Sequence, residues 1–245
     1  MVKFPELLGG LVKTETRYAI YYAPGPDTAL HALGSRWLGR DSINGVLSEQ
    51  PILPGVDPAR VTEVTADPRR YGFHATLKPP FHLKSDTTLD ALLSAAEAFA
   101  GTQDAFEIDL TLRQFSDFFA LMQGPSRGET RAIAAATVSA LDAFRVLPSE
   151  RQLERRREAN LSDAQETLLQ RWGYPYVMNE FRFHMTLTHR ITDGAEADLM
   201  RQALKLHFAD VLGRQQWFDS IAVFSQNVPD APFQQIARFP LRSQP

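Results

Sequence analysis

Apolar and polar positions alternate with a period of two in several short stretches of this chain and recur every three or four residues in several longer ones. RYAIYYA at 17–23 is rich in aromatic and branched residues and closes at Pro24-Gly25-Pro26, which predicts a strand ended by a turn. Asp27 stands where it can cap a helix to about Leu38, with Leu30, Leu33, Trp37 and Leu38 near helical spacing. Residues 39–70 carry Gly, Pro, Asp and Asn throughout and keep no period, so a long ordered loop is expected there. A strand is expected to follow and to stop near Pro79-Pro80, because proline donates nothing to a ladder. Thr87 to Ala100 predicts an amphipathic helix with Leu89, Leu92, Leu93, Ala96 and Phe99 inward and Gly101 just past its end. Phe106, Ile108, Leu110 and Leu112 alternate with polar residues, and 117–123 (DFFALMQ) supplies a hairpin partner.

The second half repeats this order. A strand is expected at about 181–190, a helix at about 194–210 with Leu199, Ala203, Leu206 and Ala209 on one face, and strands at 217–225 and 233–241. Between the halves, 128–145 reads as an Ala-rich helix and Ser162 caps another through Trp172. RQLERRRE at 151–158 is either a solvated helical face or an anion-attracting rim. The pattern predicts an α+β fold of two pseudo-symmetric antiparallel-sheet lobes, each a β-α-β-β unit, with helices outside and a shared central cleft. One bilobal domain over 1–245 is expected, with motif strands at about 71–84 and 181–190 and a helical insertion at about 128–173.

Each half contains the same phrase. Phe-His-x-Thr-Leu stands at 73–77 and again at 183–187, and the chain has only 6 His. On a strand the alternation puts His74 with Thr76, and His184 with Thr186, on one face, with apolar residues behind. A single His-x-Thr is ordinarily a half-buried polar face; two copies in one frame point to a shared site. Composition narrows the chemistry. With 44% hydrophobic residues in 245 the chain can bury a large core, and a net charge of −3 argues against wrapping an extended nucleic acid. There are no cysteines, which removes disulfides, thiolate ligands and a Cys nucleophile. The N-terminal MVKFPELLGGLVKTETRY reads as neither a signal peptide nor a membrane helix, so a cytoplasmic location is expected.

The paired motifs resemble the 2H phosphoesterase superfamily, which includes RNA 2′-5′ ligase-like proteins and cyclic phosphodiesterases. GFHATLKPPF, WGYPYVMNEFRFHMTLT and RYAIYYAP are similar to a bacterial branch labelled as phosphonate-metabolism proteins, and the likeness runs from about Arg17 to Leu241. The resemblance implies a phosphoesterase with His74 and His184 as acid and base and Thr76 and Thr186 on the phosphate.

The residues support the same chemistry. Imidazoles exchange protons near neutral pH, and hydroxyls donate to phosphoryl oxygens. A metal-independent phosphodiesterase is expected, acting on a small cyclic phosphate or on a 2′,3′- or 2′-5′-linked nucleotide phosphodiester, an RNA end included. A protein that binds such a ligand without turnover is the alternative. Neither sequence nor resemblance says which His is acid and which is base. Lys78, Arg182 and Arg190 are candidate phosphate anchors by strand parity, and Tyr18, Tyr174 and Tyr176 are candidate base or sugar stackers. No His-Glu-x-x-His, P-loop, Gly-x-Ser-x-Gly or dinucleotide fingerprint occurs, so no metal and no cofactor is expected.

Overall fold

A computed structural model describes residues 16–125 and 128–243. In chain order its elements are β1 (Arg17–Tyr22), α1 (Ala29–Leu38), α2 (Pro58–Val64), α3 (Ala66–Tyr71), β2 (Ala75–Phe81), α4 (Leu89–Ala100), β3 (Phe106–Phe115), β4 (Phe118–Gln123), α5 (Glu129–Ala140), α6 (Glu150–Arg157), α7 (Asp163–Trp172), β5 (His184–Thr186), α8 (Gly194–His207), β6 (Gln215–Phe218), β7 (Ser220–Gln226) and β8 (Gln234–Pro240). Short 3-10 turns follow α5 at Asp142–Phe144 and precede β5 at Met178–Glu180. The class is α+β, as the pattern predicts. Among the described residues no helix is long and apolar enough to cross a membrane.

The strands form one antiparallel sheet in the order β6-β3-β4-β5-β2-β1-β7-β8. The two motif strands, β2 and β5, are neighbours at its centre. The hairpin that follows each motif strand pairs in the other half: β3-β4 flanks β5, and β7-β8 joins β2 through β1. Each half-sheet therefore combines the motif strand of one copy with the hairpin of the other. β6 is an edge strand while β7 is seventh in the order, yet only Asp219 separates them. The sheet must curl for one stretch of chain to serve both places. Ala105 N donating to Arg242 O at 2.9 Å and Leu241 N donating to Asp219 O at 2.8 Å tie the approaching edges together.

One side of the curl carries the main core. Ile20, Tyr22, Ala75, Leu77, Leu121, Met185, Leu187 and Val223 pack there against apolar residues of α1, α4, α5 and α8. A smaller cluster of Ala19, Tyr21, Ala23, Ala222, Phe224 and Phe233 occupies the opposite face of β1 and β7.

Some boundaries differ from the sequence reading for local reasons. Residues 39–70 hold two helices: Asp57 caps α2 by accepting from Ala59 N at 2.9 Å, with Pro58 in the first turn. The remainder of that segment is fixed by Gln50, which donates to Trp37 O at 2.7 Å and accepts from Arg69 Nη2 at 2.9 Å. β2 runs through Pro79-Pro80 instead of stopping there. β5 pairs with β2 only at Ala75↔Met185, and on the β1 side the partners are Ala75, Thr76, Lys78 and Phe81, so neither proline is asked for a ladder donor.

Candidate active site

The Ala75↔Met185 pairing sets His74 across from Thr186 and Thr76 across from His184. The four motif side chains form a two-by-two array on the face opposite the main core. Directly opposed positions on antiparallel strands lie about 5 Å apart at Cβ and diagonal ones about 7–8 Å, which is the reach of one phosphate group. Ladder pairing extends one row of this face sideways, from Met122 through His184 and Thr76 to Tyr21 and Ala222.

Both imidazoles are held alike. His74 Nδ1 lies 2.8 Å from Gly72 O, and His184 Nδ1 lies 2.8 Å from Arg182 O. A carbonyl oxygen only accepts, so Nδ1 carries the proton in both and each Nε2 is left toward the cleft face. The His74 Nε2 lies 3.2 Å from Thr76 Oγ1, where the hydroxyl can donate to it. Gly72 has φ 79, and a Cβ there would come within 2.5 Å of Ser42 Cβ, so the turn presenting its carbonyl requires glycine.

The two rings differ in surroundings. The Tyr21 ring stacks on His74 with centroids 3.8 Å apart, and Phe224 and Tyr71 stand next to it. This burial, helped by the nearby His184, pushes the His74 imidazole down to about 4, although the Gly72 carbonyl pulls the other way. His184 has Phe118 at 6.2 Å.

A cavity of about 430 Å³ opens on this face, lined by Thr76, His184, Arg182, Tyr174, Tyr176 and Glu180 among others. His74 and Thr186 belong to the array but not to that lining. Arg182 sits with its guanidinium 5.4 Å over the Phe115 ring. Tyr176 is 42% exposed and meets Tyr174 edge-on at 5.6 Å.

Three expected binders lie elsewhere. Between Ile20↔Lys78 and Tyr21↔Thr76 the register shifts, so β2 carries an extra residue at Leu77 and the side-chain alternation slips. Lys78 consequently turns away from Thr76; its Nζ is buried and lies 3.1 Å from Asp142 Oδ1 and 3.3 Å from Val138 O. Tyr18 shares the parity of Ile20 and Tyr22 and packs against the main core. Arg190 is 83% exposed at its side chain and pairs with Asp117 at 3.0 Å. The sequence reading did not single out Tyr21, Phe115, Gln165 or Glu180. The parity of β1 could have placed Tyr21 on the cleft face, whereas Glu180, which accepts from Gln165 Nε2 at 2.9 Å, sits in an irregular approach that no periodicity marks.

The model of a protein family of unknown function, DUF1045, matches residues 76–234. A protein named ribose 1,5-bisphosphate phosphokinase PhnN from Janthinobacterium sp. (strain Marseille) is 38% identical over 234 residues, covering 94% of this chain and 51% of that protein. A protein of the same name from Laribacter hongkongensis (strain HLHK9) is 33% identical over 177 residues, covering 72% of this chain and 41% of that one. The chain thus spans about half the length or less of these curated relatives. Among solved structures, E. coli LigT complexed with NADP+ is similar with 14% identity and a TM-score of 0.44, covering 94% of this chain and 99% of that one. E. coli LigT complexed with 3′-AMP is similar with 13% identity and a TM-score of 0.42, over the same coverage.

Proposed function

The chain belongs to the DUF1045 family, and from its own side chains we propose that it is a phosphoesterase that opens a small cyclic phosphate or cleaves a nucleotide phosphodiester without a metal. The observation that carries this reading is the matched pinning of His74 and His184, each with Nδ1–H on the carbonyl two residues back, with the His74 Nε2 3.2 Å from Thr76 Oγ1.

In this reading His74 is the base. Burial holds it neutral at pH 7, and its Nε2 has a lone pair for the proton of an attacking water. The water oxygen bonds to phosphorus as the bond to the leaving ester oxygen breaks. His184, protonated at the start, gives that oxygen its proton. One water is consumed, the products are a phosphomonoester and a hydroxyl, and the two imidazoles return to their starting states by exchange with solvent. Thr76 and Thr186 donate to the non-bridging oxygens as charge builds there. Arg182 adds positive charge at the cleft wall, and Tyr176 offers a flat face for a base or sugar. The Glu180 carboxylate suits a sugar hydroxyl, since it only accepts.

The relatives' printed name makes a pentose phosphate a reasonable substrate size. This chain has no G-x-x-x-x-G-K-[ST] run, so no residue here is assigned a phosphokinase role. A place in phosphonate metabolism comes with the branch that the motifs resemble. The test is turnover of 2′,3′-cyclic nucleotides, 2′-5′ and 3′-5′ dinucleotides and pentose cyclic phosphates in the presence of a chelator, with His74→Ala as control. Hydrolysis that survives the chelator and vanishes in the variant is expected. Binding of every compound without consumption, or turnover restored only by a divalent ion, would overturn the reading.

A further inference from the structure

Tyr174 and Tyr176 are shared with a second cavity, of about 520 Å³, whose walls include Arg17, His82, Arg145, Arg155 and Arg156. No Asp or Glu is among the described residues that line it. The guanidiniums are poorly compensated. Arg17 donates to the neutral Gln226 Oε1 at 2.7 Å. Arg156 lies 4.7 Å over the Tyr174 ring, and Arg155 is exposed with no acidic partner among the described residues. Arg145 is 7% exposed and shares one carboxylate, Asp142, with the buried Lys78, so two cations meet one anion. Its Nη1 is buried without a hydrogen-bond partner. The neighbouring Arg157 turns elsewhere, to Glu150 and Glu166, and takes those carboxylates with it.

Geometry links this groove to the histidines. β1 begins at Arg17 and reaches Tyr21, whose ring stacks on His74. Four residues of strand span about 13 Å, and the long arginine side chains shorten the gap. A ligand lying along β1 beneath Tyr174 and Tyr176 would have one end at the imidazoles and the other among the arginines.

We propose that the arginine groove is a second anion subsite, holding a phosphate or diphosphate that is not cleaved, and that the ligand is an extended molecule with anionic groups at both ends. This rests on the hydrolytic reading only for which end reacts. A lone cyclic pentose or mononucleotide fills the catalytic end and leaves the groove empty. Arginine suits the distal group because its forked donors match phosphate oxygens in pairs.

Two measurements test it. The first is calorimetric titration with inorganic pyrophosphate of the wild type, of Arg155→Ala/Arg156→Ala, and of Arg155→Glu, which changes an exposed side chain and leaves packing alone. Affinity should fall at least about 10-fold in both variants, and more at low salt. Equal affinity in all three would overturn the subsite. The second compares kcat/KM for adenosine 2′,3′-cyclic phosphate with that for the same compound carrying a 5′-diphosphate. The wild type should prefer the longer substrate by about 10-fold or more, through KM, and the preference should collapse in the variants; a wild-type ratio near one would overturn the proposal. The two readings fail separately. Arginine-dependent pyrophosphate binding with no turnover of either compound sinks the hydrolytic reading and keeps the subsite, whereas turnover without preference and without arginine-dependent binding does the reverse.

Discussion

The pinned imidazoles set expectations that single substitutions can check. His74→Ala and His184→Ala should each lower kcat by about 10²–10⁴-fold, and Thr76→Ala or Thr186→Ala by less, because other donors still hold the phosphate. Steady-state kinetics on a cyclic phosphate decides this. As the proposed base, His74 must be neutral to act, so kcat/KM should fall as pH drops through about 4, the value to which burial lowers it. Tyr21→Ala would open that ring to water and move the acid limb upward, and an NMR titration of the His74 ring protons should follow the same shift. Stability carries the same signature. The folded His74 binds its proton near 4 against the ordinary 6.5, so the unfolded chain protonates first; its contribution is full above 6.5 and is lost as pH falls toward 4. Urea midpoints at the two pH values should show that loss, and it should shrink in His74→Asn. The cleft-facing side of the motifs was legible because strand alternation is local: Phe73, Ala75 and Leu77 are buried behind His74 and Thr76. Lys78 broke the same rule because a bulge depends on how β1 pairs, which β2 alone does not encode.

Elements with their own caps were readable, and those defined by distant partners were not. The capping boxes Ser149–Gln152 and Ser162–Gln165 start α6 and α7, and Gly173 at φ 71 ends the latter. α2 carried an equally local signal, Asp57 before Pro58, but the loop-forming residues around it masked the start. β5 is three residues long and exists because β4 and β2 flank it. The insertion is joined to β2 through Asp142, which serves Lys78 and Arg145 together. Asp142→Asn should therefore cost about 3–5 kcal/mol, since it leaves two buried cations without their anion. Lys78→Met should cost clearly less, because Asp142 keeps Arg145. Denaturant unfolding of the two variants compares them.

At the scale of the molecule, the repeated β-α-β-β order announced a duplication but not the exchange of hairpins between its halves. Which strand lies beside which is settled by contacts across the whole chain, such as β1 with β7, and no window of sequence contains both. The exchange predicts that the copies are not separable. Expressed apart, fragments ending at Asn160 and starting at Leu161 should each lack cooperative unfolding by circular dichroism, since the first has β2 and β4 without β5 between them and the second has β7 without β1. Mixed, they should recover a folded sheet. Two independently folded fragments would contradict the exchanged pairing. The same wiring governs the order of events on the ribosome. β1 and β2 emerge early, yet their partners β7 and β5 are translated much later, so the first histidine waits on an unfinished sheet with open edges. Assembly of the two-histidine array thereby waits until β5 has been made, and a nascent chain stalled before β5 exposes sticky strands to chaperones while holding only one of the two histidines.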